Sequence, residues 1–315
     1  MGPYKEASLY LFRSVTPIHV GSGRGGELVD LPIQRDSMNL PIIFASSIKG
    51  ALRSIFENKD FEEDLFGPKP EATSQFAGAA AFLDARILMF PVRSLKNLYC
   101  YVLSPISLRY LLEYLVIVSS FSNKTDINTY IESVKILITK AKNLGSNEIL
   151  LSKDAKDFLM LSDLGIILNE TFIYKEPNSI KLLDNAGENA LKEIYKLLKL
   201  EKIDNQIIKR IVIVHDEQFK ELLERSIIRQ IRIRLKPETK TVERGALWSE
   251  EYLPRDSFLI WGCLFSDSKK SDNVKASDLK KTFETELFTN RDVGYIILGG
   301  EVTIGKGVLE VFKIP

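Results

Sequence analysis

The stretch Ile231-Arg-Ile-Arg-Leu-Lys236 alternates strictly between aliphatic and basic residues, which is the period-2 pattern of a β-strand. Turn-forming residues follow at 237–240, and residues 241–248 run back, so the pattern predicts a β-hairpin. The aliphatic residues that share one face of its first strand are Ile231, Ile233 and Leu235, and the basic residues of the other face are Arg232, Arg234 and Lys236.

Positive charge is concentrated around this hairpin. Between Arg225 and Arg244 the chain carries seven basic and two acidic residues, a net charge of +5, whereas the whole chain carries +1. A basic strand of this kind can follow the phosphate backbone of a nucleic acid. The solvated outer face of a sheet has the same pattern, so these residues leave the two interpretations equally open.

The composition of the 315 residues is typical of a globular protein, with 45% hydrophobic and 27% charged residues. It excludes disordered and fibrous classes, and the length allows two domains or one elaborated domain. Two cysteines and two histidines are too few for a disulfide framework or a histidine-rich metal centre. The longest apolar stretch, Tyr110–Val118, is too short to span a bilayer. We therefore expect a soluble protein of the cytoplasm.

A helix is predicted to begin at Ser46 and Ser47, because serine is a favourable N-cap. Lys49 and Arg53 lie one turn apart and share a face of this helix. Its apolar face comprises Ile48, Leu52, Ile55 and Phe56. Residues 79–90 then predict a strand, or a pair of strands, that ends at Pro91.

The rest of the chain divides into a helical middle and short strands near both ends. Residues 108–200 are rich in Leu, Ile, Lys, Glu and Asn with helical periodicity, and a strand is predicted near Ile166–Tyr174. Further strands are predicted at 8–15, 211–214, 295–298 and 308–312.

A glycine-rich loop occupies residues 299–307 and contains four glycines and Lys306. Glycine permits positive φ and close backbone approach, so exposed N–H groups here can bind an anion. The spacing is not that of a Walker A loop, and too little chain follows for the helix that such a loop needs. A tight hairpin between two strands is the alternative interpretation.

A second glycine-rich loop near the N-terminus follows His19 and precedes Asp30. A histidine can serve as acid or base, and an aspartate can hold a divalent metal or accept a proton. The alternative interpretation is structural: His19 packs locally after Pro17, and Asp30 caps a turn.

Several motifs, in order along the chain, resemble those of RAMP-superfamily CRISPR proteins. Thr16-Pro-Ile-His-Val-Gly-Ser-Gly23 and Ser46-Ser-Ile-Lys-Gly-Ala-Leu-Arg53 are similar to their N-terminal signature, and Gly300–Gly307 is similar to their glycine-rich loop. Three further segments resemble, more narrowly, the repeated backbone subunit of type III-B (Cmr) effector complexes. They are Val29-Asp-Leu-Pro-Ile-Gln-Arg35, the run 84–94 and Glu243–Pro254.

The resemblance implies an α+β fold with a ferredoxin-like, RRM-like palm, a helical insertion and a protruding β-hairpin thumb. We assign 1–105 to the N-terminal part of the palm and 106–207 to the mainly helical insertion. Residues 208–256 then contain a strand and the thumb hairpin, and 257–315 form the C-terminal part of the palm with the glycine-rich loop.

The resemblance also implies an endoribonuclease within an assembled complex. Copies of such a subunit, with other Cmr subunits, line up along a guide RNA and cut complementary single-stranded target RNA at regular intervals. Cleavage requires a divalent metal, Mg²⁺ or Mn²⁺, and leaves a cyclic phosphate and a 5′-hydroxyl. No membrane partner is expected.

Site residues follow from the same resemblance. Asp30 is expected to be the cleavage residue and metal ligand, and His19 is expected to position or stabilise the phosphate. The scissile site of a neighbouring copy is expected to lie near Glu250, Glu251 and Tyr252. The expected RNA-binding residues are Ser22, Arg24, Ser46, Ser47, Lys49, Arg53, Arg232, Arg234, Lys236, Gly300, Gly305, Lys306 and Gly307. Two alternatives stay open: a scaffold that binds guide RNA without cutting, and a guide-processing endoribonuclease that relies on His19.

Overall fold

The computed structural model describes residues 2–23, 25–26, 29–69, 71–121, 125–175, 179–289 and 291–314. These residues form a mixed α+β structure, as the sequence predicts. None of the helices in these ranges is long and apolar enough to cross a membrane.

Fifteen strands and eight α-helices are assigned within the described ranges. The strands are β1 (Tyr4–Ser14), β2 (Ile42–Ile43), β3 (Ala80–Phe82), β4 (Ala85–Arg93), β5 (Tyr99–Leu103), β6 (Ile149–Leu151), β7 (Ile166–Leu168), β8 (Phe172–Tyr174), β9 (Ile180–Leu182), β10 (Ile211–Val214), β11 (Ile228–Leu235), β12 (Val242–Tyr252), β13 (Phe258–Ser266), β14 (Val293–Ile297) and β15 (Val308–Ile314). The helices are α1 (Ala45–Ile55), α2 (Glu62–Phe66), α3 (Pro105–Ser119), α4 (Thr125–Ala141), α5 (Lys153–Leu159), α6 (Asn185–Leu197), α7 (Asp216–Ser226) and α8 (Ala276–Phe288).

One large sheet organises the molecule. Its strand order is β14-β15-β1-β13-β4-β5-β10-β6-β9, with β2 paired to β4 and β3 paired to β13 beside this path. Most neighbours are antiparallel, whereas β10 runs parallel to β5 and β9 runs parallel to β6. The first and last strands are neighbours in this sheet, because β1 is flanked by β13 and β15.

The core includes β1, whose residues 7–12 are all buried. Tyr10 stacks on Trp261 of β13 with ring centroids 4.5 Å apart, and it also contacts Phe283 of α8. Burial of three aromatic side chains here contributes several kcal/mol, at roughly 2–3 kcal/mol each. β15 pairs with β1 and β14 pairs with β15, so the loop between β14 and β15 is anchored to this part of the sheet.

Two details of the predicted elements are wrong. Helix α1 begins after Phe44 and not at a serine cap, because the Asp84 carboxylate, distant in sequence, accepts the N–H of Ala45 at 2.7 Å. Pro91 does not end β4, which pairs on to Arg93. Within the described residues β13 pairs with β4 only as far as Met89, so the missing N–H of Pro91 removes no ladder bond on that side.

The helical middle is confirmed, and α3 to α6 account for most of it. The strand predicted near 166–174 is the short hairpin β7–β8. The three-residue strands β6 and β9, which the sequence pattern does not reveal, join the same part of the chain to the large sheet through β10.

The predicted hairpin of residues 231–248 is confirmed as β11 and β12, which pair only with each other in the strand assignment of the described residues. Both of its faces are solvated, since even the aliphatic side chains of Ile231 and Leu247 are 68% and 63% exposed. The loop at 299–307 is a tight connection between β14 and β15, as the alternative interpretation of its glycines expects, and it includes a 3₁₀ turn at Val302–Ile304.

Candidate functional site

Three segments meet beside the base of the β11–β12 hairpin: the loop after β1, the end of β12 and the glycine-rich loop. The loop after β1 pairs with β12 on both sides of the site. Ile18 and Leu253 exchange backbone hydrogen bonds of 3.0 and 2.9 Å. Leu31 donates its N–H to the Ser249 carbonyl and accepts the N–H of Glu251, both at 3.0 Å. Asp30 is therefore held at the edge of β12.

Asp30 is solvent-exposed, and one residue of β12 holds its carboxylate. Its Oδ2 accepts the backbone N–H and the hydroxyl of Ser249, each at 2.8 Å, and its own N–H lies 3.0 Å from the same hydroxyl. These hydrogen bonds, with that of the Ser249 backbone largest, lower the pKa of Asp30 below its usual value. The carboxylate is therefore fully ionised at neutral pH and is a weak proton acceptor.

Glu250 points to the opposite side of β12 and is fully buried. It accepts the indole N–H of Trp248 at 2.6 Å and the hydroxyl of Tyr252, and Arg232 lies 3.6 Å away. Burial alone would raise the pKa of Glu250, but these hydrogen bonds and the positive charge outweigh it, so the pKa is lowered. Arg232 also lies 3.5 Å from Glu301, which ties the hairpin to the glycine-rich loop.

Glu251 faces the side of Asp30 and is also buried. It forms ion pairs with Arg35 at 3.3 Å and Arg229 at 3.2 Å, and Glu224 of α7 pairs with both arginines. The network fastens the loop after β1, α7 and the hairpin base together. Glu250 and Glu251 are thus each engaged inside the protein.

His19 joins the two glycine-rich loops. Its imidazole is only 8% exposed, and its Nδ1 lies 2.7 Å from the carbonyl oxygen of Glu251, so Nδ1 is the donor. The His19 carbonyl accepts the N–H of Gly300 at 2.8 Å, and the imidazole ring lies 5.6 Å from that of Tyr252. The histidine therefore lies at the centre of the three segments.

The glycine-rich loop needs its glycines to close against this centre. At Gly299, with φ of 99°, an added Cβ would stand 2.3 Å from the His19 carbonyl oxygen. At Gly307, with φ of 77°, it would stand 2.2 Å from the carbonyl oxygen of Leu298. Gly305 also has positive φ, and the Lys306 ammonium lies 4.8 Å from the centre of the Tyr252 ring. A cation is thus placed beside the site.

The other predicted RNA-binding residues are spread more widely. Arg53 is engaged within the protein, pairing with Glu62 at 3.2 Å and donating to the Gly67 carbonyl at 2.9 Å. Burial, with the nearby Arg53 charge, lowers the pKa of Lys49. Ser47 lies 3.2 Å from the amide nitrogen of Gln34. Ser46 is exposed in the first turn of α1. Ser22 donates its backbone N–H to the Pro32 carbonyl. Arg24 lies outside the described residues.

The hairpin carries its free charge near the tip. Arg234 is 68% exposed and lies 3.6 Å from Glu243, and Lys236 is exposed at the turn. Exposed ion pairs of this kind are weak, so another anion can easily replace the carboxylate as the partner of the arginine. Arg232, in contrast, belongs to the interior network around Glu250.

The described residues contain no group of three or more His, Cys, Asp or Glu side chains able to hold a metal ion. Asp30 by itself fits a hydrated Mg²⁺ or Mn²⁺, because its carboxylate is ionised, exposed and engaged by Ser249 through Oδ2 alone. Magnesium commonly binds one or two carboxylates and completes its shell with water and substrate phosphates. The remaining ligands would have to come from RNA and water.

Ser249 is one of three residues at this site that the sequence reasoning missed. It lies inside the motif 243–254, but only its contacts with Asp30 set it apart from the other serines. Arg35 and Arg229, which hold Glu251, were missed for the same reason.

Comparison with known proteins gives related sequences along almost the whole chain. The model of the RAMP superfamily matches residues 11–310. The "CRISPR system Cmr endoribonuclease Cmr4" of Pyrococcus furiosus is 33% identical over 316 residues, covering 97% of this chain and 95% of that protein. The "CRISPR system CMR subunit Cmr4" of Saccharolobus solfataricus is 31% identical over 328 residues, covering 98% and 96%.

Solved structures with the same fold include three from the same group. A chain of type III-B Cmr-beta in the apo state has a TM-score of 0.77 at 28% identity, and one of Cmr-beta bound to cognate target RNA has 0.73 at 26%; each alignment covers 99% of this chain and 98% of that chain. A chain of oligomeric Cmr4 from Pyrococcus furiosus has 0.66 at 25%, covering 98% of both chains.

Proposed function

This chain belongs to the RAMP superfamily, and from that membership we propose that it is the repeated backbone subunit of a type III-B CRISPR effector complex. In this role it binds guide RNA and cleaves complementary target RNA. The relatives of more than 30% identity carry the names of a Cmr endoribonuclease and a CMR subunit, and they match this chain over nearly its full length.

The observation that supports cleavage by this chain is the setting of Asp30. An exposed, ionised carboxylate is fixed at the edge of β12, where the hairpin base meets a loop that presents Lys306 and several positive-φ glycines. Backbone N–H groups and a cation suit the binding of phosphate, and a fixed carboxylate beside them suits chemistry at a phosphodiester.

In the proposed arrangement the large sheet with α1 and α8 is the RRM-like palm, and β11–β12 is the thumb. Guide phosphates lie along the palm at Lys49 and the glycine-rich loop, whereas the thumb reaches the guide–target duplex. The exposed aliphatic residues Ile231 and Leu247 and the exposed charge of Arg234 support this assignment, since the thumb then offers both apolar and basic contacts to RNA.

Cleavage proceeds by attack of the 2′-oxygen on the adjacent phosphorus. The bond from phosphorus to the 5′-oxygen breaks, the 2′-hydroxyl loses its proton, the 5′-oxygen gains one, and a cyclic phosphate and a 5′-hydroxyl result. In-line geometry is the main requirement, and a nucleotide unstacked by the thumb meets it. A divalent ion held by Asp30, water and RNA would supply charge stabilisation at the phosphate.

The other residues of the site have supporting roles in this mechanism. Asp30 has a lowered pKa, so it contributes negative charge and not proton abstraction. Lys306 stabilises charge on the phosphate. Glu250, Glu251 and Tyr252, engaged inside the protein, hold the end of β12 and the loops in place.

A guide-processing enzyme with His19 as acid or base is less consistent with this geometry. The His19 ring is almost entirely buried, and its Nδ1 is committed to the Glu251 carbonyl. The proposed partners are guide RNA, target RNA, further copies of this chain and other Cmr subunits, and the proposed location is the cytoplasm.

The test uses the assembled complex with Asp30→Ala and Asp30→Asn. We expect both variants to bind guide and target RNA as the wild type does, because the Asp30 side chain is exposed and its replacement leaves no cavity in the core. We expect target cleavage to be lost in both. Cleavage at the wild-type rate with Asp30→Ala would contradict the catalytic assignment and leave a binding scaffold.

A further inference from the structure

Ser249 makes three contacts with a single residue, Asp30. Its backbone N–H and its hydroxyl both reach Oδ2 at 2.8 Å, and its hydroxyl oxygen accepts the Asp30 N–H at 3.0 Å. The Ser249 carbonyl also accepts the N–H of Leu31, the next residue of the same loop. Both the backbone and the carboxylate of Asp30 are therefore fixed by one position of β12.

These contacts bind a loop residue to the thumb hairpin. Ser249 pairs with Ile231 in the β11–β12 register, and Leu31 forms a parallel bridge with Glu250. Asp30 therefore lies against a strand that continues directly into the hairpin. A displacement of that strand displaces the carboxylate as well, since no other described residue hydrogen-bonds to the carboxylate.

We propose that Ser249 is a positioning residue for target cleavage, which fixes the Asp30 carboxylate relative to the thumb. This inference rests on the proposed function. Because Ser249 engages Oδ2 twice, Oδ1 is the carboxylate oxygen that this arrangement leaves for the metal ion or the RNA. A single allowed orientation is useful here, since a misplacement of about 1 Å in a reacting group costs up to roughly 100-fold in rate.

The test compares Ser249→Ala and Ser249→Thr in the assembled complex, with Ser119→Ala as the matched control and Asp30→Ala as the reference. Ser119, on α3, hydrogen-bonds only to its own helix among the described residues. Threonine keeps the hydroxyl and suits a strand. The measurements are the single-turnover cleavage rate at saturating target, the dissociation constant for target, and hydrogen exchange of residues 29–33 in the free subunit.

For Ser249→Ala we expect a cleavage rate lower by roughly tenfold or more, since one hydrogen bond to a charged group is lost. Target affinity should stay unchanged, and exchange at 29–33 should become faster. Ser249→Thr and Ser119→Ala should behave as the wild type does.

Wild-type cleavage by Ser249→Ala, while Asp30→Ala is inactive, would overturn this inference and leave the proposed function standing. An equal loss in Ser249→Ala and Ser249→Thr, or a loss of target affinity in parallel with rate, would also overturn it. Cleavage by Asp30→Ala would instead remove the proposed function itself.

Discussion

Glu250→Gln tests the network that holds the site together. The Glu250 carboxylate is fully buried and accepts hydrogen bonds from the Trp248 indole and the Tyr252 hydroxyl, with Arg232 at 3.6 Å. The glutamine side chain has nearly the same shape, but it has one acceptor oxygen and an NH₂ group that would face a donor. The change therefore removes charge and one acceptor without creating a cavity.

The expected loss of stability is about 2–4 kcal/mol. A hydrogen bond to a charged group contributes roughly 1.5–3 kcal/mol, and a buried donor left without a partner costs roughly 1–3 kcal/mol, two effects that overlap in part. With an unfolding entropy of about 2.1 cal/mol/K per residue, a chain of 315 residues should lose about 3–6 °C in Tm.

The difference between wild type and variant should depend on pH. The pKa of Glu250 is lowered in the folded state, whereas in the unfolded chain it has the ordinary glutamate value of about 4.3. The ionised carboxylate thus stabilises the fold fully above that unfolded value. Its contribution is lost as pH falls through the lower, folded-state pKa. The Tm difference should be constant from pH 8 to about pH 5 and should narrow below about pH 4.

Calorimetry of the free subunit measures both effects, with Glu243→Gln as the matched control. Glu243 lies 3.6 Å from Arg234 near the hairpin tip, where the two side chains are 45% and 68% exposed, so this change should shift Tm by about 1 °C or less. An unchanged Tm for Glu250→Gln, or a Tm difference that stays constant down to pH 3, would refute the reasoning.

Three further outcomes are expected. Gly299→Ala should lower Tm and weaken guide-RNA binding, because its Cβ would stand 2.3 Å from the His19 carbonyl oxygen. Gly305→Ala has open space around its Cβ and should cost only about 1 kcal/mol of backbone strain. Equal effects of the two variants in thermal unfolding and filter binding would contradict this. Replacing Arg234 and Lys236 by alanine should make the binding constant for RNA less dependent on salt. The slope of its logarithm against log salt concentration should fall by about 0.7 per lost phosphate contact. An unaltered slope would place these two side chains away from RNA. Excess chelator should stop target cleavage without changing the Tm of the free subunit, and cleavage that continues in chelator would exclude the divalent ion.

Elements with a strong local pattern were predictable from the sequence. The β11–β12 hairpin followed from the alternation at 231–236, and β10 followed from a short apolar run at 211–214. The start of α1 was not predictable, because its first N–H is accepted by Asp84, which is 39 residues away in the chain. Strands β6 and β9 have three residues each, too few for any periodicity to be visible.

The site was predictable only in part, for a related reason. Asp30 and His19 stood out through motifs and neighbouring glycines. Ser249 did not, because its role comes from contact with Asp30 across 219 positions of sequence. Glu250 and Glu251 were expected at the site, and as neighbours on a strand they point to opposite sides of β12, but the sequence does not reveal that both are buried. Burial and pairing between distant segments are properties of the fold.

The most direct measurement of the central claim is a map of target-RNA products from the assembled complex, with wild type and Asp30→Ala side by side. We predict evenly spaced cuts with cyclic-phosphate ends for the wild type, and intact target, still bound, for the variant. An identical ladder of products from both complexes would contradict the claim that Asp30 is the residue that enables cleavage.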